Sequence, residues 1–94
     1  MNISELLSSK DPETILLGIK LIPFVKFYRY IKSSKPIAYK AILLLLRHRN
    51  HLEFLYQPFN EYYSVRINMN NFIGFPISVP YLNQLYQQFE NENI

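Results

Sequence analysis

The sequence predicts an α+β domain: an N-terminal helical bundle of about three helices, then a β-hairpin, then one C-terminal helix. Two observations carry that expectation. Apolar residues recur at helical spacing from Ile15 to Leu45, alternate one-for-one after His51, and return to helical spacing from Leu82. Turn and capping residues fall where the period changes, at Asp11-Pro12, Ser33-Ser34-Lys35-Pro36, Pro58-Phe59-Asn60 and Ser78. A length of 94 residues makes room for one small domain, read as residues 1–94. With 49% apolar residues, the chain can bury a core and is not expected to be disordered.

The first ten residues mix Glu5 and Lys10 with apolar side chains and show neither a repeat nor a secretory signal. Asp11-Pro12-Glu13 then opens a helix. Asp11 can accept from the free N–H groups, Pro12 fits the first turn, and Glu13 suits the positive helix end. Ile15, Leu16, Ile19 and Ile22 form its apolar stripe, and Gly18 inside it implies close packing against another helix. Pro23 predicts a break. Beyond it Phe24, Phe27, Tyr28 and Ile31 repeat at i, i+3, i+4, i+7, giving the second helix. Ser33 to Pro36 reads as a turn with Ser34 as N-cap. A third helix then runs from Pro36 to about Arg49, with Ile37, Ala41, Leu44 and Leu45 as its inner stripe. Ile42, Leu43 and Leu46 make it apolar on most sides, which predicts a central position.

From His51 the period is two. Leu52, Phe54 and Tyr56 alternate with Glu53, Leu55 and Gln57; Tyr63, Val65, Ile67 and Met69 alternate with Tyr62, Ser64, Arg66 and Asn68. Two such runs around Pro58-Phe59-Asn60-Glu61 predict a hairpin, which must pack on the helices to be stable. Phe72 to Ile77 is apolar but broken by Gly74 and Pro76, so it is read as a packed loop or a short third strand. Ser78 caps the last helix and Pro80 sits in its first turn. Leu82, Leu85, Tyr86 and Phe89 make its apolar face, opposite an uncharged row of Asn83, Gln84, Gln87 and Gln88.

Charge is the informative functional signal. Between Thr14 and Leu52 there is no Asp or Glu, but there are eight cations: Lys20, Lys26, Arg29, Lys32, Lys35, Lys40, Arg47 and Arg49. From Glu53 onward four Glu face one Arg. Such asymmetry points to an anionic partner or nucleic acid, with Lys26, Arg29, Lys32, Lys40, Arg47 and Arg49 as the candidate contacts. Three helices followed by a hairpin is also the element order of a winged helix. Against that analogy, the helix before the hairpin is a Leu run rather than a polar reading helix, and the hairpin tip carries Glu61.

Enzyme chemistry is poorly supplied. The one Asp is in a cap, there is no Cys and no Gly-rich phosphate loop, and Glu53 with Glu61 could only face each other across an exposed hairpin. His48 and His51 have helical spacing, but Arg47 and Arg49 oppose a bound cation. No catalytic residue, metal, cofactor or small-molecule substrate is expected. The longest apolar run, Ala41 to Leu46, falls far short of the ~20 residues that span a bilayer, so no membrane association is expected and the cytoplasm is the expected compartment. The surplus is aromatic: 8 Tyr and 7 Phe, which a core of this size cannot fully hide. The expected function is therefore a small non-enzymatic protein that binds another macromolecule. A protein partner or a second copy in a homodimer comes first, contacted through Tyr30, Gln84, Gln87 and Gln88 together with the basic surface. The composition, rich in Asn, Ile, Lys, Tyr and Phe, suits an accessory or inhibitor protein of a phage or mobile element, acting in the host cytoplasm.

Overall fold

The computed structural model of the chain describes residues 2–34, 39–69, 72–73 and 76–92. It is α+β: four helices, a small antiparallel sheet and a last helix. The order is α1 (Ile3–Leu7), α2 (Pro12–Leu21), α3 (Phe24–Ser34), α4 (Tyr39–Arg47), β1 (Leu52–Gln57), β2 (Tyr62–Met69), β3 (Phe72–Ile73), β4 (Ile77–Ser78) and α5 (Val79–Glu92).

Among the described residues four helices, against the expected three or so, precede the sheet. The additional one, α1, is a single capped turn: Asn2 Oδ1 accepts from the Glu5 N–H at 2.8 Å, and Leu6 and Leu7 are buried. Five residues are too few to display a helical repeat, so their cap is their only local signature. The start of α2 follows the reading above. Asp11 accepts from the Thr14 N–H at 3.2 Å, and Pro12 leads the helix. Gly18 is where α1 crosses α2, since a Cβ there would lie 2.9 Å from Leu6 Cβ and 3.3 Å from the Leu7 backbone nitrogen. Pro23 separates α2 from α3, and its carbonyl accepts from the Phe27 N–H to start the new helix.

One expectation near the third predicted helix needs correction. Ser34 is the last residue of α3, and its expected capping role, with Lys35 to Ala38 and so Ile37, lies outside the described residues. On α4 the buried stripe is Ile42, Leu45 and Leu46, while Ala41 and Leu44 are only half-buried. A run of four leucines offers no polar face to orient the helix, so docking against α3 and β2 decides which side is covered.

The hairpin is as expected, with Leu52 opposite Ile67, Phe54 opposite Val65 and Tyr56 opposite Tyr63. That register sets Glu53 against Arg66, so Glu53 and Glu61 do not face each other. Strand β2 is central. Its other edge pairs with β3 through Asn68–Ile73 and with β4 through Ser64–Ser78 and Val65–Ile77. The segment beginning at Phe72 thus supplies a third strand in two pieces. Ser78 then caps α5, accepting from the Tyr81 N–H at 3.3 Å. The core forms where α5 covers the helices and the inner sheet face. Leu82, Leu85, Tyr86 and Phe89 meet Ile19, Phe27, Ile31, Leu45 and Val65. Phe27 is fully buried, edge-on to Tyr86 at 5.4 Å and to Phe89 at 5.3 Å.

Candidate functional site

An open groove of about 1080 Å³ runs between α3 and the second half of α5, with Asn2 also in its lining. One wall carries Lys26, Arg29 and Tyr30 from α3; the other carries Gln87, Glu90 and Asn91 from α5. Amphipathic geometry explains the convergence. Phe27 and Ile31 anchor α3 in the core, which turns Lys26 and Arg29 outward. Phe89 anchors α5, leaving Gln87 on its exposed flank.

Tyr30 links the two walls. Its ring lies 5.5 Å from that of Phe89, tilted by 59°. Its hydroxyl is held above the ordinary phenol range, first by burial and then by the charge and hydrogen bonding of Glu92. Glu90 accepts from Ser4 Oγ at 2.6 Å, which fixes that carboxylate at the groove's rim and ties α1 to α5. The charge of Glu90 also adds to burial in raising the Tyr86 hydroxyl. The groove is therefore of mixed sign: two cations on α3, and a positioned carboxylate with amides on α5.

The other expected basic contacts lie elsewhere. Lys32 is exposed, with Nζ 5.8 Å from the centre of the Tyr28 ring, a cation–π distance. Lys40 and Arg47 are exposed on α4, a different helix from the groove walls. Arg49 is half-buried and structural. Its Nη1 donates to the carbonyls of Ile19 and Lys20 at 3.0 Å and of Ile22 at 3.1 Å, closing the C-terminal end of α2. Carbonyls at a helix's end are short of intrahelical partners, although that of Ile19 also accepts from the Ile22 N–H at 3.3 Å, and a cation suits that negative end. Gln84 is exposed and Gln88 half-buried on α5, outside the groove lining.

One surface went unnoticed in the sequence. Tyr56, Tyr62 and Tyr63 line a cleft of about 660 Å³ together with Lys10, Pro80 and Asn83. Tyr56 and Tyr63 contact at 5.4 Å, and beyond them Phe59 stands at the hairpin tip, 99% exposed. At the base of the cleft Asn83 Nδ2 donates to Ser8 Oγ at 2.9 Å, while its Oδ1 is buried without a partner. The strand period assigns Tyr56 and Tyr63 to the inner face, and nothing in it shows that Tyr63 packs at the border of the core while Tyr56 is exposed beyond it.

Among the described residues no three His, Cys, Asp or Glu side chains gather to hold a metal ion, and His48 and His51 only approach ring to ring at 6.4 Å. No helix among them is long and apolar enough to cross a membrane. No known family, curated protein or solved structure matches the chain.

Proposed function

We propose that the protein is a small non-enzymatic binding module whose groove between α3 and α5 receives a segment of another protein, as an accessory or inhibitor would. The observation that carries this reading is the composition of the groove: Lys26, Arg29, Tyr30 and Gln87 brought together beside Glu90. A polypeptide offers acids, bases and amides at close spacing and can answer such a mixed wall. A phosphate backbone offers negative charge alone and would be repelled by Glu90 and Glu92. The distribution of the remaining cations supports the same choice. Among the described residues, Arg49 is occupied by helix carbonyls, and Lys40 and Arg47 stand on a helix that does not line the groove. Tyrosine and arginine are also the side chains most enriched at protein interfaces, because each combines a large contact area with a polar tip.

The test pairs the wild type with the double variant Lys26→Glu, Arg29→Glu. Affinity capture from cells of the source organism should retain a defined protein on the wild type and lose it on the variant, with the circular dichroism of both unchanged. Parallel titrations with random DNA and RNA at ~50 mM salt, where the electrostatic attraction is strongest, should show no binding. Tight, salt-steep nucleic-acid binding that the double variant abolishes would overturn the protein-binding reading in favour of the nucleic-acid one.

A further inference from the structure

The edge of the sheet points to a second surface, independent of the groove. We infer that two copies of the chain associate through antiparallel pairing of their β1 strands, Phe54 against Phe54, into one continuous sheet.

Strand β1 pairs with β2 on one side, and among the described residues no strand pairs with its other side. The ladder shows which backbone groups face that open side. The Asn68 N–H donates to the His51 carbonyl at 2.7 Å, and His51 stands opposite Asn68 in the same register as the rest of the hairpin. In an antiparallel pair, hydrogen-bonded and non-bonded residue pairs alternate. Glu53, Leu55 and Gln57 are therefore bonded to β2, and Leu52, Phe54 and Tyr56 direct their N–H and C=O groups outward. An edge of this kind is ordinarily guarded by lysine, proline, a bulge or a covering element. The segment Leu-Glu-Phe-Leu-Tyr-Gln holds neither lysine nor proline. Its single charge, Glu53, is already neutralised on the outer face by Arg66 and by Asn68, whose Nδ2 donates to Glu53 Oε1 at 2.6 Å.

The strand is also complementary to itself. With Phe54 on the two-fold axis, Leu52 faces Tyr56 of the second copy and Tyr56 faces Leu52. Each of these pairs, and the Phe54 pair, exchanges two backbone hydrogen bonds. Inner faces then stay aligned with inner faces, and Glu53 meets Leu55, so no like charges oppose each other. A slip by one residue would turn the two apolar faces to opposite sides. A slip by two toward the tip would set Pro58, which has no N–H, against Leu52.

Two variants and one measurement of mass test this. Sedimentation of the wild type should show a dimer. Tyr56→Pro removes an N–H that faces the open edge and leaves the β1–β2 ladder intact. It should raise the dimer dissociation constant about 100-fold, because one bond is lost at each of two symmetric positions. Phe54→Cys supplies the only thiol in a chain without cysteine. A bonded pair holds its Cα atoms about 5.5 Å apart, within disulfide range, so mild oxidation should give a covalent dimer. Val25→Cys, on an exposed helix position, should give none. Should Tyr56→Pro fail to fold, the cysteine cross-link decides alone. A wild type that stays monomeric up to about 100 μM would overturn the inference. So would a dimer that cross-links through Val25 and not through Phe54, since that would place the contact on the exposed Leu17, Leu21 and Val25 surface instead.

Discussion

Replacing Gly18 by alanine sets two opposing effects against each other at one atom. Helix propensity favours alanine over glycine by about 1 kcal/mol in the interior of a helix such as α2. Packing opposes it. The added Cβ would lie 2.9 Å from Leu6 Cβ, 3.2 Å from Leu7 Cδ2 and 3.3 Å from the Leu7 nitrogen. Carbon atoms prefer separations of about 3.5–4.0 Å, so a shift of at least half an ångström is needed. Rotating a side chain cannot provide it, because Leu6 Cβ and Leu7 N move only with the backbone of α1. That turn is held by the buried Leu6 and Leu7 and by the bond from Ser4 to Glu90. Overpacking of this kind costs about 1–3 kcal/mol, which exceeds the propensity gain over most of its range. Gly18→Ala should therefore destabilise the fold by about 1 kcal/mol. In a domain of this size that lowers Tm by about 4–8 °C and shifts the urea midpoint downward without altering its slope. A variant more stable than the wild type by the full propensity gain would refute the close crossing of α1 and α2 at this residue.

Two further outcomes follow from the hydrogen bonds. Arg49→Gln withdraws the cation from the end of α2 and should cost about 1.5–3 kcal/mol by urea titration, the range for hydrogen bonds to charged groups; an unchanged midpoint would show that those carbonyls are satisfied without it. Glu53 is held below the ordinary carboxyl range, chiefly by its hydrogen bond from Arg66 and further by the Arg66 charge and Asn68. A depressed folded-state value means that its contribution is full above the unfolded glutamate value of about 4.3 and disappears as pH falls through the folded one. The wild type should therefore lose its stability advantage over Glu53→Gln on acidification through that window, whereas parallel stability curves down to about pH 3 would exclude the ion pair as a source.

The elements that announce themselves in the sequence are those stabilised by neighbours along the chain. Asp11-Pro12 marks the start of α2 because its capping bond spans three residues, and the alternation around Pro58 specifies the hairpin because each strand has one buried face. What stayed hidden depends on distant partners. Helix α1 is too short to show a period, and its leucines are explained only by packing against Gly18 on α2 and against the core under α5. Arg49 looked like one of several surface cations because its target carbonyls lie 27 to 30 positions away. The basic and aromatic residues of α3 could be named from their spacing. Their meeting with Gln87 and Glu90 could not, since it requires the docking of α5. The tyrosines of the hairpin end fitted a strand period and so attracted no functional reading.

The bonds from Ser4 to Glu90 and from Asn83 to Ser8 join positions 86 and 75 residues apart. They define a clasp that, among the hydrogen bonds of the described residues, closes the longest loops and so carries a large closure entropy. The hairpin and the α3–α4 pair can form early from contacts close in sequence, whereas seating α5 against α1 waits for the rest of the chain to be in place. The same order holds in reverse for spontaneous opening. Release of that clasp would bare the Phe27, Tyr86 and Phe89 rings before the hairpin is disturbed, so amide exchange should be fastest in α1 and the adjoining face of α5 and slowest along β2.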